Sequence, residues 1–124
     1  MNGFILTNTT IQRDSLYKKP VKNSWKLREE GGLSGVPLRE KTNKIIRSAY
    51  ELTNGKITII GVGGISTGKD AFEKISMGAS LLQLYTSLIY QGPNVVVRIL
   101  SDLSCSLKRK GLKNVSDLIG KNIN

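Results

Sequence analysis

The sequence predicts an α/β fold in which short parallel strands alternate with helices. Three apolar runs, each about the length of a strand, are separated by segments with the 3.6-residue spacing of helices. The runs are apolar on both faces, as expected when helices cover a parallel sheet. This alternation favours βα units, arranged either as a small open sheet or as a part of a larger barrel.

The first predicted elements are a strand, a long excursion and a helix. The strand covers Phe4 to Thr9 and changes from apolar to polar along its length. An irregular, basic excursion and a glycine-rich loop follow over 11–35, and loops of this length are often functional. Helical spacing then predicts a helix over 39–53. Trp25 and Leu27 are the predicted anchors of the excursion. The inner stripe of the helix is predicted to be Ile45, Ile46, Ala49 and Leu52, and Asn54 and Gly55 are predicted to end the helix.

The rest of the chain repeats the alternation. A strand is predicted over 57–62, a short helix over 70–77, and a third strand over 79–85 that continues into Thr86. A longer helix follows Pro93, which suits a first helical position, and ends near Lys110 before one more helical turn over 115–119. The predicted inward-facing residues of these helices are Ala71, Phe72, Ile75, Val96, Ile99 or Leu100, Leu103 and Leu107.

Charge and composition exclude several classes of site. The formal net charge is +10, with ten basic and four acidic residues in 1–50 and nine and five in 51–124, so the excess is not confined to a tail. Histidine is absent, which removes histidine acid–base chemistry and histidine metal sites, and no metal site is predicted. The single cysteine, Cys105, excludes an intrachain disulfide and suits a reducing compartment.

The sequence predicts neither a transmembrane helix nor a signal peptide. It contains no run of about 18 apolar residues. The first eight residues lack a basic start followed by an apolar stretch.

The segment Gly61-Val62-Gly63-Gly64-Ile65-Ser66 follows a predicted strand and precedes a predicted helix. It is not a dinucleotide fingerprint, because Ser66 stands where the third glycine belongs and no acidic residue ends the next strand. A phosphate site fits better, since Gly63 and Gly64 let the backbone approach an anion and Thr86 offers a hydroxyl and an N–H. The alternative is that the glycines only make a tight turn and allow close helix–strand packing.

Thr7, Asn8 and Thr9 come at the carboxyl end of the first predicted strand. An asparagine amide there, with two donors and an acceptor, suits a planar imide or carboxylate substrate. The alternative is a simple turn, which asparagine and threonine both favour.

The basic cluster Lys108-Arg109-Lys110 is expected at a helix end, where cations complement the macrodipole and face solvent. A nucleic-acid site would combine basic residues with interleaved aromatic residues. Only Tyr17 and Trp25 lie among the lysines of the separate segment 18–28, so no nucleic-acid partner is expected. The alternative function left open is a non-enzymatic basic remnant that binds anions or nucleic acid. Cys105 is expected to be inert packing or surface.

Four motifs in order resemble the C-terminal part of the dihydroorotate dehydrogenases, and most closely their quinone-dependent, membrane-associated class. The motifs are Phe-Ile-Leu-Thr-Asn-Thr-Thr (4–10), Gly-Gly-Leu-Ser-Gly-x-Pro-Leu (31–38), Ile-Ile-Gly-Val-Gly-Gly-Ile-Ser-x-Gly-x-Asp-Ala (59–71) and Gly-Ala-Ser-Leu-Leu-Gln-Leu-Tyr-Thr (78–86). Together they extend over nearly the whole chain.

The resemblance implies a (β/α)8 barrel that binds FMN, oxidises dihydroorotate to orotate in pyrimidine synthesis and passes electrons to quinone. This chain would supply roughly the last three βα units. By motif, Asn8 and Thr9 would bind the substrate. The residues implied for FMN are Thr7, Ser34 and Gly35 at the flavin side, and Gly64, Tyr85 and Thr86 at its phosphate.

The resemblance also implies what these 124 residues lack. A complete barrel needs about 250 residues, so the chain would begin near the sixth strand. The general-base serine, a lysine near the flavin and the quinone-receiving helices would lie upstream, so no catalytic residue is assigned here. The piece is expected to be inactive alone, to pair with an N-terminal half of the barrel, and to belong to a peripheral protein on the cytoplasmic side of the inner membrane, or otherwise of the cytoplasm.

Overall fold

The computed structural model describes residues 2–13 and 31–123. Predictions that concern 14–30, including the anchors Trp25 and Leu27, lie outside the described residues. Three strands form one parallel sheet in the order β1-β2-β3. They are β1 (Gly3–Leu6), β2 (Thr58–Val62) and β3 (Leu81–Gln83). The predicted α/β class with a parallel sheet is therefore confirmed.

The strand register brings the carboxyl ends of the three strands to one edge of the sheet. Leu6 lies opposite Gly61, and Val62 lies opposite Gln83. Parallel strands that end at the same level place their following loops side by side. The segments after β1, β2 and β3 therefore meet at this edge.

The described residues also contain four α-helices and two 3-10 turns. They are the turn Val36–Leu38, α1 (Arg39–Leu52), α2 (Gly68–Ser76), α3 (Thr86–Gln91), α4 (Asn94–Arg109) and the turn Val115–Leu118. As predicted, α1 is followed by Asn54 and Gly55 with positive φ angles of 50° and 68°. Gly55 donates its N–H to the Tyr50 carbonyl, which closes the helix end.

The core consists of apolar residues that the helices press onto the sheet. Ile59 of β2 is fully buried against Ile46 of α1 and Ala79. On the same face of the sheet, α2 and α4 pack together through two clusters that, like the cluster of Ile59, contact Leu82 of β3. The first of these two clusters contains Ile65, Ala71, Val95 and Ile99. The second contains Ile75, Leu103 and Leu118. Ala71, Ile75, Ile99 and Leu103 are among the predicted inward-facing residues.

The prediction of a third strand over 79–85 that continues into Thr86 is wrong in its length. β3 ends at Gln83, and Thr86 opens the unpredicted helix α3. The N–H groups of Leu88 and Ile89 donate to the Tyr85 carbonyl and close the first turn of that helix. A short apolar run has no period that distinguishes strand from helix, so the sequence signal could not separate them.

The inner face of α1 is more polar than predicted. Its buried residues are Thr42, Asn43 and Ile46, whereas Leu52 is 84% exposed. The reason is that α1 packs on polar groups of α2 and of the loop after β1, so the buried stripe follows Thr42 and Asn43. In α4, likewise, Val95 is buried and the predicted Val96 is largely outside the core.

Two surface predictions are confirmed. Cys105 is exposed, and Lys108 and Arg109 occupy the exposed last turn of α4. Among the described residues, no helix combines the length and the hydropathy needed to cross a bilayer.

Candidate functional site

A cavity of about 690 Å³ opens at the carboxyl edge of the sheet. Its walls come from the loops after β1, β2 and β3 and from the glycine-rich turn before α1. All eight residues that the sequence predicts for substrate and cofactor line this single cavity: Thr7, Asn8, Thr9, Ser34, Gly35, Gly64, Tyr85 and Thr86. The volume falls in the range of about 300–1,000 Å³ that is usual for small-molecule sites.

The tip of β1 is held by its neighbours while its asparagine faces outward. The Thr7 N–H donates to the Val62 carbonyl over 3.3 Å, and the Thr7 hydroxyl lies 3.1 Å from that of buried Thr42. Asn8 is exposed, and its Oδ1 accepts the Thr9 N–H at 2.8 Å. The local bond is the turn geometry that asparagine favours, yet it leaves the two N–H groups of the Asn8 amide without a hydrogen-bond partner in the described residues, and Asn8 lines the cavity.

The glycine-rich turn is tied to two of the three strand tips. Thr10 and Leu33 exchange two backbone hydrogen bonds of 3.0 and 2.7 Å, which fixes the turn to the segment after β1. At its other end, the Thr86 hydroxyl donates to the Ser34 hydroxyl at 3.2 Å. A Cβ on Gly35 would lie 3.4 Å from the Thr86 methyl, so this turn and the start of α3 are in contact.

The turn after β2 runs through Gly63 and Gly64, with φ angles of 101° and 72°. A Cβ on Gly64 would lie 2.7 Å from the backbone N and Cα of Arg39, so close packing on α1 is itself a reason for glycine there. The packing alternative is thus present in the molecule. The packing explanation is compatible with the hypothesis of a phosphate site, because the N–H groups of Gly63 and Gly64 have no hydrogen-bond partner in the described part of the chain.

The turns after β2 and β3 face each other. The buried Ser87 hydroxyl donates to the Ile65 carbonyl at 2.6 Å and joins the start of α3 to the glycine turn. Thr86 is half-buried beside this bond, and Tyr85 is 74% exposed at the rim. Ser87 was not singled out in the sequence, because its role depends on the helix that the sequence did not predict.

No charged side chain lines the described part of the cavity. Its polar groups are hydroxyls, amides and backbone N–H groups. Such a wall can hold an anion by backbone donors, as in the N–H concavities that bind phosphate. It contains no carboxylate, thiolate or amine that could remove a proton.

Behind the cavity wall lies a charged interface between α1 and α2, made of Arg39, Asn43, Asp70 and Lys74. Arg39 Nε lies 2.9 Å from Asp70 Oδ1 and donates to the Gly64 carbonyl at 3.2 Å. Lys74 is fully buried and donates to Asn43 Oδ1 at 2.7 Å. Sequence reasoning missed these four residues; the only signal was that both helices place two polar residues four apart.

Burial lowers the pKa of the Lys74 ammonium to about 8, although the nearby carboxylates of Glu73 and Asp70 oppose the shift. The side chain passes under β2, where a Cβ on Gly61 would lie 2.8 Å from Lys74 Cδ. The methylene chain of Lys74 therefore occupies space that a larger residue at 61 would fill.

The fold and the cavity define an α/β protein with a candidate ligand site at the carboxyl ends of parallel strands. Comparison with known families is specific: the family model described as dihydroorotate dehydrogenase matches residues 1–107. The chain belongs to the dihydroorotate dehydrogenase family. The predicted resemblance, to the C-terminal portion of the quinone-dependent class, is confirmed.

Individual relatives give the same result. The chain is 51% identical over 121 residues to a mouse mitochondrial dihydroorotate dehydrogenase (quinone), and 46% identical over 122 residues to a dihydroorotate dehydrogenase (quinone) of Trichodesmium erythraeum. These matches cover 97% of this chain but 29% and 32% of the relatives. A crystal structure of the Eimeria tenella enzyme in complex with ferulenol superposes with a TM-score of 0.90 at 44% identity, over 100% of this chain and 32% of that one. The chain thus spans about a third of the length of its relatives.

Proposed function

We propose that this chain is the FMN-phosphate and part-substrate portion of a quinone-dependent dihydroorotate dehydrogenase, built as roughly the last three βα units of a (β/α)8 barrel. The whole protein would oxidise dihydroorotate to orotate in pyrimidine synthesis. The observation that carries the proposal is the meeting of all eight predicted residues at one cavity. FMN, when bound, supplies the two-electron acceptor for this oxidation.

The cavity fits the phosphate end of FMN. Gly63 and Gly64 offer unpartnered N–H groups, Thr86 and Ser34 offer hydroxyls, and no carboxylate lines the described wall to repel an anion. The glycine turn of 63–64 lies beside the start of α3, so donors from two loops can converge on one group. Tyr85 at the rim would cover this end.

The substrate would lie nearer β1. Asn8 projects an amide whose N–H groups are free to donate, and Thr9 follows with a hydroxyl. Thr7, Ser34 and Gly35 line the same cavity, and we propose that they contact the flavin. A planar substrate held by Asn8 and Thr9 would be oriented toward that flavin.

The chain's own residues bind and orient; none of those lining the described cavity is placed to act as a general base. We propose that the base is supplied by the preceding part of the barrel, together with the segments that receive quinone and hold the protein at the cytoplasmic side of the inner membrane as a peripheral protein. The chain alone is then expected to be inactive.

The test is a pair of titrations, with FMN and with riboflavin, on the chain alone and on the chain mixed with the preceding part of the mouse relative. We expect FMN to bind more tightly than riboflavin, because only FMN carries the phosphate. Dihydroorotate–quinone turnover is expected in the mixture only. Turnover by the chain alone would contradict the assignment of the base, and equal affinity for the two flavins in both samples would refute the phosphate site.

A further inference from the structure

We infer that the Arg39–Asp70 ion pair is a positioning pair that holds the turn of residues 64–67 in its binding conformation from the side opposite the cavity. The inference rests on the proposed function, since it states how the phosphate-binding backbone is kept in place. Neither side chain lines the cavity. Their effect on a ligand would therefore act through the backbone between them and the site.

The two charged groups engage three of the four residues of the turn, Gly64, Ser66 and Thr67. Asp70 Oδ2 accepts the Ser66 N–H at 3.0 Å, the Ser66 hydroxyl at 2.9 Å and the Thr67 N–H at 2.9 Å. Asp70 Oδ1 is occupied by Arg39 Nε, which also donates to the Gly64 carbonyl. Asp70 is 3% exposed, so both carboxylate oxygens are satisfied within the protein.

The bond to the Gly64 carbonyl orients a peptide group. In a trans peptide the C=O and the following N–H point in opposite directions. With the Gly64 carbonyl directed at Arg39, the Ile65 N–H points away from α1, and Gly64 and Ile65 both line the cavity. Two successive glycines with positive φ have no intrinsic preference for this arrangement, so an external contact has to select it.

The position of Arg39 supports this role. It opens α1, where the helix macrodipole disfavours a cation. Asp70, in contrast, lies in the first turn of α2, where it closes a capping box with Thr67. The cation is thus at a position that its own helix does not favour, and its partners all lie in the turn and at the start of α2.

The experiment compares Arg39→Gln with Arg47→Gln in the full chain. Arg47 lies on the same helix in an ion pair with Glu51, with both side chains nearly half exposed, and it serves as the matched control. For Arg39→Gln we expect the NMR order parameters of Gly64 and Ile65 to fall toward about 0.6, the range of flexible backbone. Amide exchange of Ser66 and Thr67 is expected to rise about tenfold more than that of the β2 amides, whose exchange reports any loss of global stability. Arg47→Gln is expected to change none of these.

The second readout is the preference for FMN over riboflavin, which we expect to fall about tenfold in Arg39→Gln and to stay constant in Arg47→Gln. Wild-type rigidity at Gly64 and Ile65 in Arg39→Gln would overturn the inference. If Arg39→Gln does not fold, the same measurements on the isosteric variant Asp70→Asn test the inference. A wild-type chain without preference for FMN would refute the proposed function, whereas the order parameters would still decide whether the ion pair positions the turn.

Discussion

The cavity wall and the charged interface behind it differ in the charge of their side chains. The described wall consists of glycines, hydroxyls, apolar side chains and the amides of Asn8 and Gln91, and no charged side chain lines it. The interface, one layer behind, holds Arg39, Asp70 and Lys74 in contacts of 2.7 to 2.9 Å that leave no buried side-chain polar atom without a partner in the described residues. The comparison teaches that a neutral backbone wall depends on charges elsewhere to fix its shape, because glycine turns do not fix themselves.

The largest expected effect is at the contact between the two regions. Gly64→Ala would place a Cβ 2.7 Å from the Arg39 backbone in a left-handed conformation, and we expect the chain to lose about 3 kcal/mol of stability, together with its FMN preference. Gly111→Ala is the control, since Gly111 has nearly the same φ, 68°, and nothing within 4 Å of its added Cβ. It is expected to cost only about 1 kcal/mol. Equal losses in urea unfolding would show that close approach to α1 is unimportant.

A second effect tests the interface by pH. Because the folded pKa of Lys74 is lowered to about 8 from 10.5, the unfolded chain binds the extra proton between these values. Stability is therefore expected to rise by about 2 kcal/mol as the pH increases from 8 to 10.5. Lys74→Met removes the titrating group and should abolish this part of the slope. An unchanged slope in that variant would assign the pH dependence to other groups.

A third, smaller effect tests the wall. Thr86→Val keeps the shape of the side chain and removes its hydroxyl, so we expect FMN affinity to fall about tenfold, with riboflavin affinity unchanged. Thr58→Val, at the amino end of β2 and remote from the cavity, is the control. Fluorescence titration measures both. A parallel loss of riboflavin affinity would mean that Thr86 shapes the flavin pocket rather than holding the phosphate.

The smallest expected effect is at the exposed ion pair of α1, and the Arg39–Asp70 pair is its comparison. Arg47→Gln breaks an exposed i,i+4 pair and should change the free energy of unfolding by only about 0.3 kcal/mol. Arg39→Gln leaves the buried Asp70 carboxylate without its cation and should cost about 3 kcal/mol. If urea unfolding gave the two variants similar midpoints, the charged interface would have no more structural weight than the surface pair.

The local pattern of the sequence was sufficient to predict the strands and three of the four α-helices in the described residues. The spacing of apolar residues and the glycines at the ends of elements are local signals. The predicted bounds of β2, α2 and α4 therefore agree with the structure to within a few residues. The failure at α3 has a specific reason. Its six residues are anchored by the bond from Ser87 to Ile65, a contact 22 residues away that no local period reports.

The sequence by itself determined which polar residues follow each apolar run, because this order is a local property of the chain. It did not determine the residues at which β1 and β3 end. The tertiary structure decided how those ends combine. The bond between Thr86 and Ser34 joins residues 52 apart, and Arg39 reaches Gly64 from 25 residues away. Contacts of this kind arise only when helices pack on the sheet, so the resemblance of motifs could name the cavity residues while the charged interface became visible only in the folded chain.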